Sequence, residues 1–275
     1  MTKRATDPFQ SIDQLDPPAI ERVVERLEFR ARDPTFTGWR DAYLDRLELR
    51  NAETLLDVGC GTGVVARAVA LRQDFSGKIV AIDPSVALLA AAQRFADIEQ
   101  IGSSIEFRLG DAIHLEFAEG TFDRVIAHTT LSHVTDPASM VHELARVLAP
   151  GGMLTIFDGD YASWTFDHPD AELAESMEQA VIDSVVANPR IMRSLPRLFQ
   201  GSGLELLEMQ AWIYVDAGPG GFFKSAFETY GPWTVRSGNA SAQDYERWAD
   251  YLRDAMASNV FFCACNYYAV IARRG

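Results

Sequence analysis

Between residues 57 and 83, three closely spaced glycines are flanked by Asp57 on one side and Asp83 on the other. The glycines stand in the segment LLDVGCGTG, where an apolar run ends, and glycine lets a backbone turn tightly and pass close to a bound molecule. Asp83 ends the next apolar run, about 20 residues after the last glycine. At that spacing a carboxylate can accept hydrogen bonds from both hydroxyls of a ribose. The segment therefore predicts a site for a nucleoside-containing ligand.

Two classes of ligand fit this pattern. Dinucleotides are typically bound at G-x-G-x-x-G, with the pyrophosphate at a helix N-terminus. Here the spacing is G-x-G-x-G, and Asp57 lies two residues before the first glycine. An anion is unfavourable beside a pyrophosphate but favourable beside a cationic amino-acid group. Because S-adenosylmethionine (SAM) has a ribose, no phosphate, an ammonium and a sulfonium, the sequence favours SAM.

Alternating strands and helices are expected to position these residues. Short apolar runs predict five buried strands, at residues 54–58, 78–82, 105–109, 122–127 and 153–157. Helical patterns follow several of them, at residues 64–71, 85–95 and 137–148. Ser85 is expected to cap one helix, and the Asp136-Pro137 pair to open another. This βαβα order predicts an α/β fold with a parallel sheet and helices on both faces.

The two ends of the chain depart from this repeat. Residues 18–48 have a helical apolar pattern that Pro34 divides in two. In the last third, residues 204–215 and 260–272 have strand patterns, and the intervening segment 216–259 is rich in aromatic residues. We expect the N-terminal helices and this insertion to cover the open end of the sheet, where their aromatic rings would suit an apolar or aromatic ligand.

The length of 275 residues fits one large domain, and no linker divides the chain. We expect a single domain, 1–275, in three parts. They are an N-terminal helical lid segment (1–50), a SAM-binding core (51–160) and the remaining core with a helical insertion at 216–259 (161–275).

Composition narrows the function further. Thirty-nine acids against 25 bases give a net charge of −14, which argues against nucleic acid and anionic membranes as partners. No apolar run resembles a signal peptide or a membrane span, and the three cysteines form no even disulfide framework. These observations favour a cytoplasmic protein, either a monomer or a homodimer, that acts on a small molecule. No His, Asp or Glu cluster has the spacing of a metal site.

Four segments together resemble the class I SAM-dependent methyltransferases of the small-molecule type. They are LLDVGCGTG, VAIDPS, FRLGDAIHLEF and FDRVIAHTTLSHVTDPASMVHELARVLAPGGMLTIFD, and they cover roughly residues 50–160. The resemblance implies a Rossmann-like, seven-stranded, mostly parallel sheet with an antiparallel last strand and a helical lid. It also implies that SAM is the cofactor and that the reaction converts it to S-adenosylhomocysteine.

The resemblance further implies a role for each matching residue. The implied cofactor contacts are Asp57, Gly59, Gly61, Thr62, Gly63, Asp83, Pro84, Ser85, Asp111, Ala112, Ile113, His128, Thr129 and His133. Within this set, Asp57 would reach the ammonium and the glycines would line the methionine part. Asp83 would hold the ribose. Pro84 and Ser85 would border the adenine, and Asp111 would accept from its amino group.

Methyl transfer to a protonated acceptor needs a general base, and histidine titrates near neutral pH. His133 and His128 are the candidate catalytic residues, because both follow the fourth strand, beside the expected methyl group.

Other charged residues are weaker candidates for ligand contact. Asp158 and Asp160 follow the fifth strand at the ligand-binding end of the sheet, so one of them could touch the substrate. Arg30, Arg32 and Arg40 could reach the cofactor carboxylate, but a solvated helix face is the favoured interpretation for each.

The sequence leaves the acceptor open. The leading hypothesis is methyl transfer from SAM to an O, N or C atom of a small apolar or aromatic metabolite. The alternatives are a SAM-dependent enzyme of non-methylating chemistry, a SAM-binding module without activity, and a nucleotide-dependent oxidoreductase.

Overall fold

Seven strands form one sheet in the computed structural model, which describes residues 7–275. The strands are β1 (Thr54–Val58), β2 (Lys78–Asp83), β3 (Ile105–Leu109), β4 (Phe122–His128), β5 (Leu148–Phe166), β6 (Leu204–Gly218) and β7 (Phe261–Arg274). Their order is β3-β2-β1-β4-β5-β7-β6, with β7 antiparallel to both of its neighbours and the pairs among β1 to β5 parallel. The predicted α/β fold, including its antiparallel last strand, is confirmed.

Nine α-helices surround the sheet within residues 7–275. They are α1 (Pro17–Arg32), α2 (Pro34–Arg46), α3 (Val64–Ala70), α4 (Val86–Ile98), α5 (Pro137–Val147), α6 (Ala171–Val185), α7 (Ile191–Leu198), α8 (Phe222–Arg236) and α9 (Ala242–Ala257). Strand side chains alternate between two apolar clusters, so that Leu55 faces one and Leu56 the other. Helices α5 and α7 cover one face, and the remaining helices pack on the other.

One local motif begins three of these helices. Asp16, Asp33 and Asp136 each cap a helix whose first residue is proline, and each side chain accepts hydrogen bonds from backbone N–H groups of the first turn. Asp33 also ends α1, because the residue before a proline avoids helical geometry. The break predicted at Pro34 is therefore confirmed.

Strands β5 and β7 reach further than the parallel part of the sheet. They pair from Met153 opposite Arg273 to Phe166 opposite Cys263, with an irregular stretch between Asp160 and Thr165, whereas the sequence predicts an end of β5 at residue 157. The antiparallel neighbour supplies hydrogen-bond partners beyond that point, so the backbone of β5 can continue as strand. Tyr161 and Trp164 lie on this extension, and both are buried.

The segments predicted as a lid are largely helical where the structure describes them, although residues 216–218 belong to β6. Helices α8 and α9 lie between β6 and β7 along the chain, and α1 packs against α8 in the fold. A 3-10 segment, Pro8–Gln14, precedes α1. None of the helices in residues 7–275 combines the length and apolar character needed to cross a bilayer.

Candidate functional site

A cavity of about 340 Å³ opens at the carboxyl ends of the parallel strands, within the size range of small-molecule sites. Loops after β1, β2, β3 and β4 form one side of it, and α1, α2 and α8 form the other. Twelve of the fourteen residues predicted to contact the cofactor line the cavity, namely Asp57, Gly59, Gly61, Thr62, Asp83, Pro84, Asp111, Ala112, Ile113, His128, Thr129 and His133. Gly63 and Ser85 do not, and both begin helices beside it.

The loop after β1 requires glycine for steric reasons. Gly59 has a φ of +71°, and a Cβ there would lie 2.3 Å from Cγ2 of Thr130. A Cβ at Gly63 would lie 2.9 Å from the ring of Phe107, so this glycine allows α3 to pack against the sheet. The backbone N–H groups of Gly59 and Cys60 both donate to the carbonyl of Ile82, which folds the loop against β2.

Two buried carboxylates face the cavity from this loop region. Asp57 accepts from the N–H of Ala66 through Oδ2 (3.1 Å), while its buried Oδ1 has no partner in the part of the chain that the structure describes. Burial, with the nearby charge of Asp83, raises the pKa of Asp57 to about 7. Asp83 accepts from the N–H groups of Gly61 and Ser85 (both 2.9 Å), and burial raises its pKa to about 6. The free oxygen of Asp57 suits a cationic hydrogen-bond donor.

Helix α1 is fastened to the glycine loop by Glu28. Its Oε1 accepts from the hydroxyl of Thr62 (2.7 Å) and from Nη2 of Arg67 (2.6 Å), and all three residues are buried. Arg67 also pairs with Glu99. The hydroxyl of Thr62, predicted to contact the cofactor, thus has a partner in the protein. Sequence reasoning missed Glu28, because an acid on a helix is normally solvated.

A second N-terminal residue, Asp13, closes the loop after β2. It accepts from the hydroxyl of Ser85 (2.6 Å) and from the N–H of Val86 (2.9 Å). Ser85 in turn accepts from the N–H of Leu88, which confirms it as the cap of α4. The Ser85 hydroxyl therefore links the 3-10 segment to the helix start.

The loop after β3 holds Asp111 at the rim of the cavity. Its Oδ1 accepts from the N–H of Ile113 (3.0 Å), a turn that also presents Ala112 to the cavity. The Asp111 side chain is exposed, so Oδ2 remains accessible to a ligand.

His128 and Thr129 end β4 in a constrained geometry. Nδ1 of His128 lies 2.8 Å from the hydroxyl of Tyr43, and burial lowers the pKa of His128 well below its usual value. Burial raises the pKa of Tyr43, so the phenol donates and His128 stays neutral. Thr129 has a φ of +53°, which is costly for a β-branched residue and occurs mainly at functional sites.

His133 forms a dyad with Asp7. Its Nδ1 lies 2.8 Å from Oδ2 of Asp7, and the N–H of Ala187 donates to the same oxygen (3.0 Å). Burial disfavours the charged ring, but the carboxylates of Asp7 and Asp158 outweigh it and raise the pKa of His133. Because Asp7 occupies Nδ1, Nε2 is the nitrogen left to exchange a proton with a ligand. Asp7 lies 126 residues away along the chain, and no local signal points to it.

Asp158 and Asp160 have structural partners and lie outside the cavity lining. Asp158 accepts from the N–H and hydroxyl of Ser132 and from the N–H of Gly159, which orders the loop after β4. Asp160 forms a bidentate pair with Arg193 on α7, with a shortest N–O distance of 2.7 Å. The expectation that one of them touches substrate is not supported.

Aromatic rings and arginines form the side of the cavity opposite the glycine loop. The rings come from several elements, namely Phe9, Phe36, Tyr161, Trp164, Phe222, Tyr230 and Tyr267. Arg26, Arg30 and Arg40 lie among them, so a solvated face is wrong for Arg30 and Arg40 and holds for the exposed Arg32. Sequence reasoning missed Arg26.

Comparison with known proteins assigns the chain. A family model described as a methyltransferase domain matches residues 56–156. A 2-phytyl-1,4-naphtoquinone methyltransferase of Thermosynechococcus vestitus is 31% identical over 171 residues, which are 62% of this chain and 70% of the relative. The chain is a class I SAM-dependent methyltransferase.

Two further similarities extend beyond the matched domain of this methyltransferase. An uncharacterized 37.1 kDa protein in a transposon of Streptomyces fradiae is 30% identical over 262 residues, covering 93% of this chain and 72% of that protein. The crystal structure of a geranyl diphosphate C-methyltransferase from Streptomyces coelicolor, solved with S-adenosylhomocysteine, matches with a TM-score of 0.55 at 16% identity. It covers 87% of this chain and 79% of that chain, and shows the shared fold.

The residues of this methyltransferase fit its cofactor. The unpartnered Oδ1 of Asp57 is placed to accept from an ammonium group, and Gly59 and Gly61 line the cavity with backbone and no side chain. Asp83 accepts from the N–H of Gly61 in the glycine loop, and its carboxylate oxygens can each accept a further hydrogen bond from a ribose hydroxyl.

Proposed function

We propose that this methyltransferase methylates a small aromatic acceptor and uses His133 as the general base. The observation that carries the proposal is the composition of the cavity, in which the glycine loop with Asp57 faces a wall of aromatic rings and His133, paired with Asp7, lines the same space. When bound, SAM supplies a methyl group on a positively charged sulfur, which is already reactive toward a nucleophile.

The cofactor side is assigned to the loops after β1 to β4. We assign Asp57 to the ammonium, Asp83 to the ribose hydroxyls and Asp111, through its exposed Oδ2, to the adenine amino group. Gly59 and Gly61 allow the backbone to pass close to the ligand. The neutral His128, fixed by Tyr43, offers an N–H donor at the end of β4.

Proton removal is assigned to the dyad. Neutral His133 accepts the proton of an acceptor hydroxyl, N–H or acidic C–H at Nε2, and Asp7 stabilises the imidazolium that results. Because the carboxylates of Asp7 and Asp158 raise the pKa of His133, its neutral ring is a stronger base than a free imidazole. Phe9 packs on the His133 ring, with centroids 4.5 Å apart, and limits the access of water.

The aromatic wall supports an aromatic acceptor. Flat rings bind between aromatic side chains by burial and by offset or edge-on contacts. The quinone relative named above acts on a ring system, which agrees with this assignment. We further propose that the protein works in the cytoplasm, because its three cysteines are buried and unpaired, and that residues 1–50 and 216–259 form its lid.

The test is turnover with a panel of phenols, quinols and aromatic amines, in which S-adenosylhomocysteine is measured by mass spectrometry. We expect stoichiometric S-adenosylhomocysteine and methylated product. His133→Ala should lower kcat by about 100-fold or more for phenolic acceptors. His142→Ala, on the exposed side of α5, is the matched control and should change little. SAM binding without S-adenosylhomocysteine, or binding of NAD(H) alone, would contradict the proposal.

A further inference from the structure

We propose that Arg26 and Arg30 form an anion-binding subsite, and that the acceptor is therefore an aromatic compound with a carboxylate or another acidic group. This inference rests on the proposed function, because it defines which acceptor the same cavity takes. Both residues lie on α1, one turn apart, and both line the cavity.

Arg26 is a buried cation that forms no ion pair within residues 7–275. Its side chain is 5% exposed, and neither Nε nor Nη1 has a hydrogen-bond partner in residues 7–275. The guanidinium stacks on Phe222, with Cζ 4.0 Å from the ring centroid. The face of the Phe222 ring compensates part of the hydration that Arg26 loses on burial, but it leaves the N–H groups of Nε and Nη1 without an acceptor.

Arg30 presents the same features one turn later. Its Nη1 donates to the hydroxyl of Thr129 (3.3 Å), while the buried Nε and Nη2 have no partner in the described part of the chain. Cζ lies 4.6 Å from the ring centroid of Phe36 and 5.8 Å from that of Tyr267.

Other buried arginines of this protein show how such charges are normally satisfied. Arg67 pairs with Glu28 and Glu99. Arg124 donates to three backbone carbonyls, those of Leu47, Glu48 and Asp123.

Arg26 and Arg30 instead act on each other as like charges, and burial with this repulsion lowers the pKa of Arg26. An unpaired buried charge destabilises the protein, so an anionic ligand that pairs with these arginines would remove that cost and bind more tightly.

Three tyrosines complete the subsite. Tyr161, Tyr230 and Tyr267 line the cavity beside the two arginines, and burial raises the pKa of each phenol, so all three remain protonated. A protonated phenol donates a hydrogen bond, and donors of this kind suit an oxyanion. Because Arg26 stacks on Phe222 of α8, within the aromatic wall of the cavity, we assign the subsite to the acceptor and not to the cofactor.

The experiment measures binding and turnover separately. Isomeric hydroxynaphthoates and their methyl esters are titrated by calorimetry into the protein saturated with S-adenosylhomocysteine, and both series are then assayed for S-adenosylhomocysteine formation from SAM. We expect at least one acid to bind roughly 10- to 100-fold tighter than its ester. Arg26→Met, which keeps an apolar contact with Phe222, should remove that preference. Arg22→Met, exposed on the same helix, should retain it.

Thermal unfolding without ligand separates a binding role from a structural one. Arg26→Met should not lower the melting temperature, because it removes an uncompensated buried charge. The inference would be overturned if acids and esters bind equally or if neither series binds. It would also be overturned if Arg26→Met causes a marked loss of stability, or weakens SAM binding while the acid preference stays intact. Turnover of esters and acids alike would leave the proposed function standing. Selective acid binding without turnover would refute the proposed function and the identity of the acceptor, while the anion-binding subsite itself would stand.

Discussion

The contact between Glu28 and the glycine loop provides a quantitative test of how α1 is held. Glu28→Gln keeps the shape of the side chain but removes its charge, which faces Arg67 Nη2 at 2.6 Å with both side chains less than 10% exposed. Removing one partner of a buried ion pair costs about 3–5 kcal/mol. Arg67 retains Glu99, and the amide oxygen can still accept one hydrogen bond, so we expect about 2–3 kcal/mol of destabilisation.

At about 2–4 °C per kcal/mol for a chain of this size, Glu28→Gln should lower the melting temperature by roughly 4–12 °C. Scanning calorimetry measures the shift, and titration with SAM should show weaker binding because Thr62 loses its charged acceptor. Glu25→Gln, on the exposed side of the same helix, is the control. If the two variants melt within about 1 °C of each other, the pair does not hold the helix, and the reasoning fails.

Three further predictions concern the site. SAM affinity should rise from about pH 6 to pH 8, because the pKa of Asp57 is about 7 and only its ionised form attracts an ammonium group. Asp57→Asn should flatten that dependence in calorimetric titrations, and a slope that persists would refute the assignment. Asp7→Asn should move the acidic limb of the kcat/KM profile to lower pH, because His133 loses the carboxylate that stabilises its charged form; an unshifted limb would contradict the dyad. Gly59→Ala should cost about 1–3 kcal/mol more than Gly151→Ala in urea unfolding, because both glycines have positive φ but only a Cβ at Gly59 meets another side chain; equal costs would argue against the steric explanation.

Local sequence signals predict most of the cofactor side. The bounds of β1 and β3 agree with the predicted strands to the residue. β1 is a buried apolar run that ends before Gly59, and β3 is an edge strand of alternating apolar and charged residues that ends before Gly110. The start of α5 follows from Asp136-Pro137, which needs no tertiary contact. The positive φ of Gly59, Gly61 and Gly63 is a local property of the turn, but the contacts of Gly59 with Thr130 and of Gly63 with Phe107 are set by the folded sheet.

The acceptor side depends on contacts that no window of sequence contains. Asp7 reaches His133 across 126 residues, and Tyr43 reaches His128 across 85. The burial of Arg26 could not be predicted from periodicity, because a cation on a helix normally marks the solvated face. The length of β5 depends on β7, whose partner registers are set by the folded sheet.

The extension of β5 and β7 gives the two halves of the cavity different capacities to change. The cofactor half is made of tight loops, in which Gly59 and Asp83 tolerate little variation. The proposed acceptor half includes Tyr267, which lies on a strand paired with both of its neighbours. Its position is held by backbone hydrogen bonds, which any residue except proline can make. A new acceptor preference can therefore arise by exchanging single side chains on this wall while the loops that hold SAM stay as they are. The fold therefore separates the loop residues that are constrained by cofactor binding from the wall residues that can vary with the acceptor.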